Sequence, residues 1–327
     1  MNSNHSIQSS FLEQVRKRLP TNISFADELA ETLKISRDSA YRRIRGETVL
    51  SLDEVNTLVK NYGISLDALL SPNTKMLSFH HQAIDHETFT FGHWLKSILD
   101  KLETISAFPE ASKELVYYAK DMPVFYNFLY PELGAFKMFF WMKAVLCYPE
   151  YEHEKFRFDI VPRDYLSIGY KIWERYAELP SAELWSDETL NVTLKQIEYF
   201  YDCGYFKDTK DAVLVMDQFA DLLKRVRQWT STGTKDNQGK LNLYKNEILV
   251  AENTILFKMG ERRVVFLTHN ISDILTTSDE HFCKQTEGFI NNLLNKAVLI
   301  SGTSEKERNK FFNQMEEKIQ LARGRLK

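Results

Sequence analysis

The sequence predicts a mainly α protein. We expect an N-terminal domain of five helices and a larger, mostly helical C-terminal domain with a small antiparallel β-sheet near residues 241–269. Apolar residues recur every three or four positions along most of the chain, which is the period of an amphipathic helix. Ser and Gly stand at the ends of several such segments, where they cap helices. The β-rich runs ILV, TILF and RVVFL cluster within residues 241–267 and predict the strands.

The first helix is predicted over residues 7–19, because four apolar residues there follow helical spacing, and Pro20 stops it. The second helix begins after Ser24 and ends near Lys34. Asp27 occupies the third helical position, where a capping-box residue would return a hydrogen bond to Ser24.

The third helix is predicted from Ser36 to Arg45, with Gly46 as its terminator. Ser51 and Glu54 have the spacing of a capping box for a fourth helix that ends at residue 61. A short fifth helix is expected to open at Ser65. These five helices define a domain over residues 1–72.

The stretch from Ser71 to His86 contains Pro, Asn and Ser and lacks helical periodicity, and we predict a linker over residues 73–86. Residues 87–327 then form the second domain. Pro131 is expected in the first turn of one helix, and Ser304 with Glu307 is expected to cap the last. The predicted helices of this domain are 88–107, 110–120, 131–147, 162–178, 181–203, 208–229, 280–299 and 304–323.

Composition favours a globular protein that works in the cytoplasm. The net charge of the 327 residues is -3, so attraction to nucleic acid has to come from a local patch. Three widely spaced cysteines without a C-x-x-C pair argue against disulfides and zinc modules. The start MNSNHSIQSS lacks the features of a secretion signal, and we expect no membrane partner.

The third helix concentrates positive charge. Residues 36–46 contain four Arg and one Asp, a local charge of +3. Ile35, Ala40 and Ile44 are expected to face neighbouring helices, which leaves the polar residues outside. An Arg cluster on the second helix of a helix-turn-helix is what reading of the DNA major groove requires, because the guanidinium matches guanine O6 and N7.

Residues 24–70 resemble the phage-repressor-type (xenobiotic-response-element type) helix-turn-helix family. The segment ADELAETLKISRDSAYRRIRG carries the two helices, and GETVLSLDEVNTLVKNYGISLDALL supplies the loop and the following helices in the family's order. Lys34 departs from the family, which favours Gly in the turn. The resemblance implies base-reading positions at Ser36, Arg37, Asp38, Tyr41, Arg42 and Arg45, with Ser24, Arg43 and Thr48 near DNA phosphates.

The function we expect is sequence-specific binding of double-stranded DNA by a transcription regulator, as a homodimer that spans two half-sites. The alternative is an interaction module whose helical N-terminal domain binds a protein partner. An enzyme is the third and least favoured hypothesis. The sequence contains no evident pairing of a nucleophile with a base, phosphate loop or metal triad, so we predict no catalytic residues, no metal and no cofactor.

The C-terminal domain is dense in aromatic residues between 114 and 206. Such density is usual in a packed helical core or a dimer interface. It can also line an apolar pocket for a small-molecule or peptide effector. The sequence leaves the choice open. The aromatic residues are Tyr117, Phe125, Tyr126, Phe128, Tyr130, Phe136, Phe139, Phe140, Trp141, Tyr170, Trp173, Tyr199, Phe200 and Tyr201.

Overall fold

The computed structural model describes residues 6–20, 23–64, 66, 77–82, 84–85, 88–248, 253–269 and 273–326. The chain divides into two compact units, Met1–His80 and His81–Lys327. The predicted fifth helix, opening at Ser65, and much of the predicted linker lie outside the described residues. Within the described part of that linker, His80–Gln82 forms a strand, β1.

The first unit contains four described helices around a small apolar core. They are α1 (Ile7–Arg18), α2 (Phe25–Leu33), α3 (Arg37–Ile44) and α4 (Leu52–Tyr62). Each helix buries the face on which its apolar residues recur. The buried cluster consists of Phe11, Leu12, Val15, Leu29, Ala40, Leu58 and Ile64.

Two of the three predicted caps in this unit form. The Ser36 side chain accepts a hydrogen bond from the Ser39 backbone N–H, and Ser51 with Glu54 forms a complete capping box. The capping box predicted for Ser24 and Asp27 is wrong, because the Ser24 side chain makes no capping hydrogen bond. The Asp27 carboxylate instead contacts the guanidinium of Arg37 at 2.8 Å.

The second unit combines seven α-helices with eight strands in its described part. The helices are α5 (Phe91–Ser106), α6 (Pro131–Phe140), α7 (Arg163–Glu178), α8 (Asn191–Asp202), α9 (Thr209–Thr232), α10 (Glu280–Leu294) and α11 (Glu305–Arg323). Short 3-10 helices span Glu110–Ser112, Val124–Phe128, Pro149–Tyr151 and Phe158–Ile160, and a π-helical turn, Trp141–Val145, extends α6. Along the described residues, none of the helices has the length and apolar character of a membrane span.

The strands form one mixed sheet, so the predicted small antiparallel sheet is wrong. After β1 come β2 (Lys113–Tyr118), β3 (Ser181–Trp185), β4 (Leu241–Lys245), β5 (Thr254–Met259), β6 (Arg262–His269), β7 (Asp273–Thr277) and β8 (Val298–Leu299). The order across the sheet is β1-β7-β6-β5-β2-β3-β4-β8. β2, β3 and β4 run parallel, and β5, β6 and β7 extend the sheet antiparallel from β2.

Two predicted helices proved to contain the central strands. Residues 110–120 form a 3-10 turn and β2, and residues 181–203 form β3 before α8 begins. All five residues of β3 are buried, as are the last four of β2. A strand buried on both faces shows no alternation of apolar and polar residues, and periodicity alone cannot distinguish it from a buried helix.

The last two predicted helices also differ in detail from the structure. The helix predicted over 280–299 stops at Leu294, and Val298–Leu299 pairs with β4 as the edge strand β8. The last helix begins at Glu305, but the Ser304 side chain makes no capping hydrogen bond. The predicted Pro131 does occupy the first turn of α6.

Helices cover both faces of the sheet. Leu115 and Tyr117 of β2 join the larger core, which the aromatic side chains of α5 to α9 and α11 fill. Val116 and Tyr118 point to the opposite face, where Ile290 of α10 joins a smaller core. This alternation along one strand places the sheet between two helical layers.

A buried polar cluster lies at the centre of the sheet. The Glu183 carboxylate, fully buried on β3, accepts hydrogen bonds from the Tyr126 hydroxyl at 2.7 Å, the Trp185 indole at 3.0 Å and the Tyr176 hydroxyl. Lys235 Nζ lies 2.9 Å from the Ser181 hydroxyl, which also donates to Glu183. Burial lowers the pKa of Lys235 to about 7, although the Glu183 charge opposes that shift.

The buried amino group of Lys235 makes the free energy of unfolding depend on pH. Above about pH 7 the folded chain holds Lys235 neutral, whereas the unfolded chain keeps the proton up to its ordinary pKa of 10.5. The unfolded state then binds more protons, so the free energy of unfolding rises with pH. We expect urea unfolding of the wild type to show this rise from about pH 7 to about pH 9, and Lys235→Met to lose it.

The exposed Lys240 provides the control, since Lys240→Met removes an ammonium that stays hydrated in the folded protein. Its unfolding free energy should follow the wild-type pH dependence. An unchanged slope in Lys235→Met would show that the Lys235 ammonium is charged in the folded state throughout this range.

Candidate nucleic-acid interface

A three-residue turn, Lys34 to Ser36, joins α2 to α3. Lys34 has the left-handed backbone conformation, with φ 54° and ψ 44°. Its successor Ile35 donates a backbone hydrogen bond of 3.0 Å to the Ala30 carbonyl, which closes the end of α2. The turn therefore takes the conformation in which Gly is the unstrained residue, and Lys34 stands there instead.

The inner face of α3 is fixed by small and aliphatic residues. Ala40 is fully buried in the cluster that also contains Leu29 of α2 and Leu58 of α4. Ile35 and Ile44 pack against the same cluster. Because Ala40 has only a methyl group, the helices can approach closely, and the rotation of α3 about its axis is set.

The outer face of α3 carries the predicted base-reading residues. Arg37, Tyr41 and Arg45 follow each other at intervals of four and form one row. Asp38 and Arg42 form the adjacent row. The structure therefore brings these residues together on one exposed surface, which begins at the capping residue Ser36; we call it the α3 outer face.

Each guanidinium of the α3 outer face contacts a carboxylate. Arg42 Nε lies 3.2 Å from Asp38, and Arg45 Nε lies 2.6 Å from Glu47. Arg37 meets Asp27 of α2, and its guanidinium also lies 5.9 Å from the Tyr41 ring centre. The hydrogen bond with Glu47 raises the pKa of Arg45, and the same contact lowers the pKa of Glu47.

These exposed ion pairs are weak restraints. The side chains of Arg37, Arg42 and Arg45 retain 62%, 58% and 52% of their solvent exposure. Exposed ion pairs contribute about 0–1 kcal/mol. Their arginines can therefore exchange a carboxylate for another acceptor at little cost.

Arg43 differs from its neighbours, because its side chain faces α4. Its guanidinium donates two hydrogen bonds to Glu54, at 2.7 and 3.2 Å, and a third to the Ser39 carbonyl at 3.2 Å. Only 16% of the side chain is exposed. Burial raises the pKa of Glu54, but the hydrogen bonds from Arg43 and the Ser51 N–H outweigh burial and lower it. Arg43 is thus not on the α3 outer face.

The two other predicted phosphate neighbours, Ser24 and Thr48, lie on separate elements. Ser24 is exposed at the start of α2, and its hydroxyl is not used in capping that helix. Thr48 lies half-buried in the loop that follows α3, and its backbone N–H contacts the Arg42 carbonyl at 3.4 Å. The Ser24 hydroxyl therefore belongs to the start of α2, and the Thr48 hydroxyl belongs to the loop after α3.

Gln8 is a positioning residue that the sequence analysis missed. Its Nε2 donates to the backbone carbonyls of Arg43 and Thr48, at 2.9 and 2.8 Å, and its Oε1 accepts from the Leu50 N–H at 2.9 Å. One amide side chain on α1 therefore fixes the end of α3 and the loop after it. No periodicity or capping pattern distinguishes such a Gln from a solvated one.

Two large apolar side chains are exposed after α3, one in the same loop and one at the first residue of α4. Val49 and Leu52 retain 79% and 86% of their surface in contact with solvent. Single exposed aliphatic residues are common on protein surfaces, and these two stand three positions apart in the sequence.

The histidines near the predicted linker serve local contacts. His81 Nε2 lies 3.5 Å from the Asp273 carboxylate, and the His93 ring accepts a hydrogen bond from the Thr90 N–H at 3.3 Å. His86 lies outside the described residues. Among the residues described, no three His, Cys, Asp or Glu side chains form a group that could hold a metal ion.

Comparison with protein-family models, curated proteins and solved structures finds no match to this chain.

Relief of strain in the turn before α3 should stabilise this helix pair. Lys34 is exposed, so Lys34→Gly removes no buried contact and relieves the left-handed backbone. We expect a gain of about 0.5–1 kcal/mol in local stability. Loss of the Cβ removes the steric cost of the left-handed conformation, and the greater unfolded-state entropy of Gly offsets part of that gain. Slower hydrogen exchange at the α2 and α3 amides would report it.

Lys34→Ala is the matched control, since it shortens the side chain but keeps the Cβ that strains this conformation. Its amides should exchange as in the wild type. If Lys34→Gly protects α2 and α3 no better than Lys34→Ala does, the turn does not store the expected strain.

Proposed function

We propose that this protein is a sequence-specific DNA-binding transcription regulator that inserts α3 into the major groove. The observation that carries the proposal is the arrangement of Arg37, Arg42 and Arg45 on one exposed helix face. The preceding turn and the buried inner face of the same helix hold it in place. This arrangement agrees with the resemblance of residues 24–70 to repressor-type helix-turn-helix domains.

The side chains of the α3 outer face match base edges by their chemistry. Each exposed guanidinium can donate two parallel hydrogen bonds to O6 and N7 of guanine, after leaving its present carboxylate. Asp38 can accept from the amino group of cytosine, and the Tyr41 ring can contact a thymine methyl group. Guanine-containing sites are therefore the expected targets.

Contacts to the DNA backbone would come from the edges of this face. Ser24 and Thr48 carry hydroxyls that can donate to phosphate oxygens. Arg43 has a different role in this proposal, because its ion pair with Glu54 joins α3 to α4. It supports the reading helix and contacts no phosphate.

A homodimer is the assembly we propose. One helix of eight residues contacts few base pairs and few phosphates, and dimers of such modules reach useful affinity by binding two half-sites. The second unit supplies most of the chain and is the proposed source of the dimer contacts.

A protein-interaction module is the second candidate, and exposed Val49 and Leu52 favour it. The carboxylates of Asp27, Asp38 and Glu47 also offset the charge of the three arginines. In this case DNA binding would show no sequence preference and would vanish between about 50 and 200 mM salt.

Selection of bound duplexes from random DNA tests the proposal. We expect the full-length protein to enrich a two-fold symmetric site with guanine in each half and half-site centres about 10 base pairs apart. Sedimentation of the protein with the enriched duplex should give two chains per duplex. Recovery of unenriched DNA at about 50 mM salt, with no DNA retained at about 200 mM, would favour the protein-interaction module.

Replacement of Arg42 tests the base contact itself. Arg42→Ala should weaken binding to the selected site by about 1–3 kcal/mol and relax the preference at one base pair in each half-site. Titration of the selected duplex and of single-base variants by fluorescence anisotropy measures both effects. Equal losses on selected and random duplex would remove Arg42 from the base-reading set.

The exposed Arg16 on α1 serves as the matched control, because Arg16→Ala removes the same charge away from the α3 outer face. It should keep the base preference of the wild type. Circular dichroism of both variants verifies that the helices remain folded.

A further inference from the structure

The second unit contains a cavity of about 670 Å³ between helices and one face of the sheet. Ile98 of α5 lines one side, and Trp141, in the turn after α6, lines another. Ile255 of β5, Phe266 of β6 and Ile274 of β7 line the sheet side. A largely apolar cavity of this size lies within the range of about 300–1,000 Å³ that small-molecule sites occupy.

Two buried polar atoms of the cavity wall have no hydrogen-bond partner among the described residues, namely Trp94 Nε1 and Asn127 Oδ1. Both side chains are more than nine-tenths buried, with exposures of 7% and 1%. The Asn127 amide is oriented by its Nδ2, which donates to the Val124 carbonyl at 3.2 Å. An unsatisfied buried polar group is destabilising, so a bound molecule that gave Trp94 an acceptor and Asn127 a donor would stabilise this wall.

The charges at the cavity are predominantly positive. Lys101, Lys120 and Asp121 line it. Burial raises the pKa of Asp121, and the nearby buried Lys137 and the Met122 N–H oppose that shift only in part. Lys101 Nζ has a neutral partner, the Ser97 hydroxyl at 3.1 Å, and burial lowers the pKa of Lys101. A cation that is partly withdrawn from water favours an anionic partner.

Trp94 and Lys101 occupy the same face of α5. They are seven residues apart, which is two helical turns, and Ser97 lies between them on that face. The hydrogen bond to Ser97 draws the Lys101 side chain back towards the start of α5, on the side of Trp94. Trp94 and Lys101 thus both line the cavity from one helix.

We propose that this cavity binds a small apolar molecule that carries a carboxylate. Lys101 and Trp94 receive the carboxylate, and the apolar body lies against Ile98, Trp141 and Phe266. Asn127 Oδ1 accepts a hydrogen bond from an N–H or O–H of the ligand or of an enclosed water. This inference concerns the second unit alone and does not depend on DNA binding.

Matched probes with one apolar body and different head groups test it on the full-length protein without DNA. We use decanoate, decanol and decylammonium, and a second trio of naphthylacetate, naphthylethanol and naphthylethylammonium. At neutral pH, at least one carboxylate should bind about tenfold more tightly than its alcohol, as a charge-assisted hydrogen bond predicts. Calorimetry gives the affinities, and quenching of tryptophan fluorescence reports on Trp94 and Trp141.

Three variants locate the site. Lys101→Met keeps the chain length and should abolish the preference for carboxylate over alcohol. Trp94→Phe keeps an aromatic ring and should weaken carboxylate binding several-fold. Ile98→Trp fills the cavity and should prevent binding of every probe, provided that circular dichroism shows a folded protein.

Lys96→Met is the matched control, because Lys96 lies exposed on the opposite side of α5. It should leave all affinities unchanged. The proposal is overturned if neither carboxylate binds at concentrations up to about 1 mM, because a Kd above that value marks only very weak binding. It is also overturned if the ammonium probes bind best, or if Lys101→Met keeps the carboxylate preference. DNA selection is a separate assay, so each proposal can fail alone.

Discussion

Ala40 is fully buried among Leu29, Leu58 and the other apolar residues of the first unit, and that burial decides which face of α3 is open. A helix that packs a methyl side chain closely against its neighbours has little freedom to rotate about its own axis. The opposite face then presents three guanidiniums to solvent. The Arg43–Glu54 ion pair and the hydrogen bonds of Gln8 hold the end of this helix in the same orientation.

The open face is charged but locally neutralised, which bears on specificity. Weak contacts to Asp27, Asp38 and Glu47 keep the arginines hydrated and oriented until a better acceptor replaces them. The carboxylates also oppose indiscriminate attraction to phosphates, since a net-neutral surface gains little from a uniform negative field. In the proposed complex with DNA, such a surface would favour recognition of bases by hydrogen-bond geometry over binding by charge alone.

The second unit depends on a different constraint, the burial of a charged cluster in the sheet. Glu183 retains its place on a fully buried strand because four neighbouring donors satisfy the carboxylate. Removal of one donor from such a cluster leaves a buried charge partly unsatisfied. This costs more free energy than the loss of a hydrogen bond at the protein surface. The cavity in the same unit shows the opposite arrangement, with Trp94 and Asn127 each keeping a buried polar atom without a partner among the described residues.

The sequence by itself determined the four described helices of the first unit, the Ser36 and Ser51 caps, and which residues of α3 lie outside. Those features follow from local periodicity and from hydrogen bonds between residues three positions apart, so neighbours along the chain suffice to predict them. Only the tertiary structure decided that β2 and β3 are strands, because their buried runs carry no period until a sheet surrounds them. It alone assigned Arg43 to Glu54, Gln8 to the loop after α3, and Trp94 to a cavity, since each contact joins residues distant in sequence or depends on the space left between packed elements.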